Sequence, residues 1–207
     1  MPSSSRTSPS QKPGRRIALF GGSFDPPHFA HVLAVAHLAA GPFDEVWVIP
    51  CAGHPFGKQL APFADRMAMC RAAFGFMRNV RVIPIEDRLP KPTLTLNTLR
   101  ELKRLHPHVN FTLAFGADVI AQRRRWHRFD RIEKEAEVVF FRRPGFGGGK
   151  GISWISSVEF GDISSTKIRR ALATGRNASH LVPARVLEEI GRRGLYRVRR
   201  NRTKRPH

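Results

Sequence analysis

The stretch "ALFGGSFDPPHFAHVLAV", residues 18–35, limits what the chain can fold into more than any other. A strand-like apolar run breaks at Gly21 and Gly22, passes through Asp25 and two prolines, presents His28 and His31, and resumes as an apolar helix. Proline has no backbone N–H and a fixed φ, so neither a strand nor a helix interior continues through positions 26 and 27. Glycine lets another group approach the backbone closely. The stretch therefore reads as strand, turn and helix, with donors gathered at the turn.

The same alternation recurs along the chain. Apolar runs at 16–20, 45–50, 80–85, 111–118, 136–145 and 154–160 read as strands. Helical spacing appears at 31–40, 65–77, 96–105, 165–174 and 183–194. Strands separated by helices need crossovers, and crossovers make a parallel sheet covered on both faces. The expected fold is α/β, a doubly wound parallel sheet in one domain over residues 16–196, flanked by an N-terminal arm (1–15) and a C-terminal tail (197–207). Ligands of such sheets sit outside the carboxyl ends of the strands, at a switch in strand order. The loops after residues 20 and 115 carry the unusual chemistry and should meet there.

The formal net charge is +20. Half of it lies in the two ends: Arg6, Lys12, Arg15 and Arg16 at one, Arg197, Arg199, Arg200, Arg202, Lys204 and Arg205 at the other, with no acid in either. These segments lack apolar periodicity and read as disordered basic arms. The remaining positive excess suits a domain that handles anionic small molecules, and charge alone excludes neither those nor nucleic acid. Nucleic acid is not expected as the main partner. The two cysteines, Cys51 and Cys70, form no CxxC pattern, and no apolar stretch has the length of a membrane span or a signal peptide. A cytoplasmic location is expected, and nothing excludes a homo-oligomer.

Two places carry chemistry. Gly21 and Gly22 free the backbone at the end of the first strand, and His28 and His31 lie one turn apart at a helix start, where the dipole favours negative charge. In "GDISSTKIRRAL" (161–172), Ser164 or Ser165 can cap a helix, and Ser165, Thr166, Lys167 and Arg169 bring hydroxyls and cations to its N-terminus. Both read as anion sites. Other signals fall away: "GFGGGK" lacks the Ser or Thr and the first glycine of a P-loop, and "GGS" is not the dinucleotide fingerprint. His28 and His31 have no third zinc ligand at recognisable spacing, so no protein-held metal is assigned.

"GGSFDPPHFAH" and "ISSTKIR" together resemble the first and second signatures of the nucleotidyltransferase superfamily that carries an HxGH motif. "GHPFGK", "DRMAMCRAAF", "TLTLNTL", "FGAD", "RRRWHRF", "VFFRRPG" and "VPARVLEEIGRRGLY" follow in the order found in bacterial nicotinate-mononucleotide adenylyltransferases. The resemblance covers about residues 16–196. Three positions depart from it: Ala30 replaces the Gly between the histidines, Leu94 the Tyr before Thr95, and His127 an aromatic after Trp126.

The resemblance implies a Rossmann-like nucleotidyltransferase fold and transfer of AMP from ATP to nicotinate mononucleotide, with Mg²⁺ accompanying ATP. It places Gly21, Gly22, Ser23 and Phe24 at ATP, with His28 and His31 on its phosphates and His31 donating to the α-phosphate. Arg169, with Ser165 and Thr166, would hold the β- and γ-phosphates, and Ile163 and Ser164 would also bind ATP. Gly116 and Asp118 would meet the adenosine ribose. Lys58 would swing over the phosphates, and Thr95, Trp126 and His127 would line the nicotinate end, Lys58 reaching that nucleotide as well. His28, His31, Lys58 and Arg169 form the expected catalytic set. The alternatives are a nicotinamide-mononucleotide or phosphopantetheine adenylyltransferase on the same fold, or a nucleic-acid-binding protein that uses its basic ends.

Overall fold

A computed structural model describes residues 14–53, 57–142, 153–159 and 163–197. Of the expected arms (1–15 and 197–207), residues 1–13 and 198–207 lie outside the described residues, as does the "GFGGGK" turn. Six strands form one parallel sheet: β1 (Arg15–Gly22), β2 (Glu45–Pro50), β3 (Val80–Val82), β4 (Val109–Gly116), β5 (Glu137–Arg142) and β6 (Trp154–Glu159). Their order is β3-β2-β1-β4-β5-β6, so the chain runs outward from β1 to one edge, then returns to β1's other side with β4. The switch in strand order falls between β1 and β4.

Alternation along β1 decides which helices cover which face. Ala18 and Phe20 point into a core shared with α1 (Phe29–Ala39), α2 (Phe63–Phe74), α6 (Ser165–Ala173) and α7 (Ala184–Arg193), through Val35, Leu38, Met69, Phe74, Ile168 and Ile190. Ile17 and Leu19 point into a second core, filled by Leu99 and Leu102 of α3 (Thr95–Leu105) and Ile132 of α5 (Phe129–Glu135). The sheet is doubly wound, as the strand and helix pattern requires. Among the described residues no helix is long and apolar enough to cross a membrane.

Several boundaries differ from the sequence reading. β1 starts at Arg15, which the sequence places in the arm: Arg15 pairs in register with Val109 of β4 and bridges to Glu45 at 2.5 Å. β1 also runs on through Gly21 and Gly22, which pair with Ile49 and Pro50. β3 stops at Val82, and after Pro84 the chain turns into a 3₁₀ segment, Ile85–Arg88. Two short helices, α4 (Asp118–Gln122) and α5, occupy a stretch without a helical assignment. Arginines dominate residues 123–132, and only Phe129 and Ile132 there are buried at helical spacing.

Leu99 is fully buried between α3 and the sheet. Truncating it to Ala should cost about 2–5 kcal/mol, read as a lower urea midpoint with an unchanged slope.

Candidate active site

The carboxyl ends of β1 and β4 end together at Gly22 and Gly116, and most of the predicted residues are carried there. Gly22 is required by packing as well as by access: a Cβ there would lie 3.1 Å from the Phe24 ring. That ring is buried against Phe20, Phe74 and His31, so Phe24 offers the site only its backbone.

His28 is the extended N-cap of α1, and His31 stands at its third position. Their rings stack with centroids 3.7 Å apart. The two form a reciprocal capping pair in which His28 N–H donates to His31 Nδ1 at 3.2 Å. With Nδ1 accepting, Nε2 is the ring nitrogen of His31 that can donate. His31 is thereby oriented at a positive helix end.

The second motif docks directly on the first. Ser164 caps α6 by accepting from Lys167 N–H at 3.2 Å. Ser165 Oγ donates to Pro26 O at 2.9 Å, and Arg169 Nη1 donates to Asp25 O at 2.6 Å. Arg169 Nη2 approaches Thr166 Oγ1 at 3.4 Å. The Ser165 hydroxyl proton is thus spent on the loop, which leaves backbone N–H groups, the Thr166 hydroxyl and the outer face of Arg169 for a ligand. Ile163 leads into this helix, half-buried against the first core.

Arg66 carries no role in the sequence analysis. It is 1% exposed, and its guanidinium donates to Ala61 O, Ser23 O and Ala52 O at 2.9, 2.9 and 3.4 Å. One buried cation therefore ties the loops after β1 and β2 to the start of α2. Glu86 has a parallel role across the cleft, 8% exposed and accepting from Ala52 N–H, Thr93 Oγ1 and Thr98 Oγ1 at 3.1, 2.6 and 3.0 Å. These bonds fix the N-terminus of α3, where Thr95 stands. No local pattern marks either residue, because their partners are carbonyls and hydroxyls from distant segments.

Trp126 packs edge-on against Phe115 of β4 and Phe129 of α5, at 5.1 and 6.0 Å. Its indole Nε1 is buried without a hydrogen-bond partner among the described residues. His127 beside it is exposed, and Asp118 opens α4 at the end of β4. Lys58 is exposed on the loop after β2, one residue before Gln59; a cleft of about 310 Å³ is lined by Gln59 together with Asp25 and Arg169. Among the described residues no group of three or more His, Cys, Asp or Glu is gathered as metal ligands.

Cys51 follows β2 with its Sγ 3.8 Å from Ser23 Oγ. Burial pushes the Cys51 thiol up, and the Arg66 guanidinium offsets this only in part.

The layout is that of a nucleotide-handling α/β domain, and the comparisons place it more closely. Residues 19–171 match the family model described as cytidylyltransferase-like. A probable nicotinate-nucleotide adenylyltransferase of Anaeromyxobacter sp. (strain K) is 43% identical over 188 residues, covering 89% of this chain and 98% of that protein. The corresponding protein of Myxococcus xanthus (strain DK1622) is 36% identical over 194 residues, covering 91% and 98%. The structure of Plasmodium falciparum nicotinic acid mononucleotide adenylyltransferase complexed with NaAD shares the fold, with a TM-score of 0.73 at 21% identity over 88% of this chain and 97% of that one. The chain belongs to the cytidylyltransferase-like family and, within it, to the nicotinate-nucleotide adenylyltransferases.

Replacing Arg66 with Met should destabilise the protein by about 3 kcal/mol or more, because three carbonyls lose a charged donor; equilibrium denaturation checks it. Iodoacetamide should label Cys51 far more slowly than a free thiol at neutral pH. The rate should climb only above the ordinary thiol range, as followed by mass spectrometry.

Proposed function

We propose that the chain transfers AMP from ATP to the phosphate of nicotinate mononucleotide, releasing pyrophosphate and forming nicotinate adenine dinucleotide for NAD synthesis. The observation that carries this reading is the direct bonding of Ser165 and Arg169 to the backbone of Asp25 and Pro26. It gathers two helix N-termini, two imidazoles and a guanidinium at one strand end.

An oxygen of the acceptor phosphate forms a bond to the α-phosphorus of ATP, and the bond from that phosphorus to the bridging oxygen of pyrophosphate breaks. The nucleophile is already an anion at neutral pH, so the site needs alignment and charge stabilisation and no general base. His31 Nε2–H donates to an α-phosphate oxygen, with the His28 ring stacked behind it. Arg169 and the free N–H groups of α6 hold the β- and γ-phosphates and take up the negative charge that develops on the leaving group. Lys58 closes over the phosphates from the loop after β2, and Gly21, Gly22 and Ser23 let them approach the backbone. Gly116 and Asp118 meet the ribose. Thr95 at the head of α3, with Trp126 and His127, forms the pyridine end, where the unused Trp126 Nε1–H is a spare donor.

ATP is used as its magnesium complex. The groups that face the phosphates are donors and cations. The nearest carboxylate, Asp25, is 2% exposed and committed to protein partners, so the ion is expected to enter on the phosphate oxygens of the substrate.

Pyrophosphate release should be measured with nicotinate mononucleotide, nicotinamide mononucleotide and phosphopantetheine offered separately. A strong preference for the first is expected, and turnover with none of them would overturn the reading. Arg169→Ala and His31→Ala should each lower kcat by about 10²-fold or more, the usual cost of removing one transition-state donor.

A further inference from the structure

The C-terminal end of the described chain reaches into the phosphate side of the site. After α7, Gly194 takes a left-handed conformation at φ 63°, and Arg193 bridges to Asp65 of α2 at 2.6 Å. The chain then turns so that Tyr196, the only tyrosine, donates from its hydroxyl to Asp25 Oδ1 at 2.6 Å. The same oxygen accepts from Ala61 N–H at 3.3 Å. Asp25 Oδ2 stays 3.6 Å from Arg169 Nη1, longer than a hydrogen bond, while that Nη1 donates instead to the Asp25 carbonyl.

This arrangement runs against the usual preference. A buried carboxylate beside a guanidinium relaxes toward a close, bidentate pair, and such a pair spends the arginine's donors and its charge. Here two donors hold Oδ1, and Oδ2 makes only a 3.6 Å ion pair with Arg169. The arginine is held in place by a neutral carbonyl, and the outer face of its guanidinium is left for an anion. Burial, and then the Asp25 carboxylate, push the Tyr196 phenol well up, so its hydroxyl remains a donor wherever the enzyme works.

We propose that Tyr196 is a positioning residue for phosphate binding: its hydroxyl restrains the Asp25 carboxylate at ion-pair distance, so that the carboxylate does not take the outer N–H donors of Arg169. The proposal rests on Arg169 binding the leaving pyrophosphate, as assigned above. Without the hydroxyl, Asp25 Oδ1 loses one of its two donors, the carboxylate swings toward Arg169, and the two phosphates lose part of their cation. The nicotinate end, across the cleft on α3 and Trp126, is untouched.

The test uses the full chain with Tyr196→Phe, which keeps the ring, alone and combined with Arg169→Ala. Pyrophosphate affinity is measured by calorimetry, and KM is measured for each substrate. Tyr196→Phe should weaken pyrophosphate binding and raise the KM for ATP by about fivefold, the worth of one charge-assisted hydrogen bond acting indirectly. The KM for nicotinate mononucleotide should stay within about twofold, and in the Arg169→Ala background the further effect should vanish. Equal losses for both substrates, or an undiminished effect without Arg169, would overturn the proposal. Normal pyrophosphate affinity in Arg169→Ala alone would instead overturn the role of Arg169, and this proposal with it. Because there is one tyrosine, fluorotyrosine labelling gives a single fluorine resonance in an otherwise unchanged protein. That resonance should shift on adding pyrophosphate to the wild type and stay still in Arg169→Ala; no shift in the wild type would also overturn the proposal.

Discussion

The loop between Gly22 and Phe29 could not hold its shape from its own residues. It contains two prolines, has no regular backbone pairing, and lies over the end of the sheet, where unpaired carbonyls are costly. It is held by donors from outside. Arg66 takes Ser23 O, Arg169 and Ser165 take Asp25 O and Pro26 O, and Tyr196 and Ala61 N–H take the Asp25 carboxylate. Phe29 N–H completes the set by donating to Leu181 O at 3.0 Å. Both sequence motifs refer back to this loop: it starts α1 with its histidines, it seats α6, and it receives Tyr196.

The fold was largely legible in the sequence because its determinants are local. The apolar runs at 45–50 and 111–118 are bounded by turn residues, and the leucines of α3 repeat at helical spacing, so physics within a dozen residues identifies them. Legibility failed where local and tertiary preferences part. Arg15 looks like arm because it is basic, yet β4 beside it and Glu45 nearby make it strand. The stretch 118–135 looks like a charged loop, yet Phe129 and Ile132 fasten it to the second core.

The candidate site divides in the same way. Hydroxyls, imidazoles and cations grouped at helix starts stand out by type and spacing, so His28, His31, Ser165, Thr166 and Arg169 can be picked out directly as candidates. The groups that hold them leave no such trace. Arg66 is one arginine among many in the sequence, and only its 1% exposure shows that it is a cross-link of loops. Glu86 and Tyr196 likewise draw their meaning from partners far along the chain. Phe24 shows the opposite error: it sits inside the motif, but its side chain belongs to the core.

A site of this kind places its difficulty in an unexpected part of the molecule. Binding polyphosphate needs cations, and cations near a folded core attract carboxylates that would quench them. Arg169 lies beside a buried carboxylate because the loop needs Asp25 as an anchor, and the same loop needs Arg169 as a clamp. The two demands are compatible only if something outside the pair sets their separation. In this chain the separation is set by two donors from elsewhere on the wall of the same cleft, Ala61 just before α2 and Tyr196 beyond α7. The packing of α7 on α2 therefore bears on the Asp25–Arg169 pair, because it carries Tyr196 to the Asp25 carboxylate and so helps to set their separation.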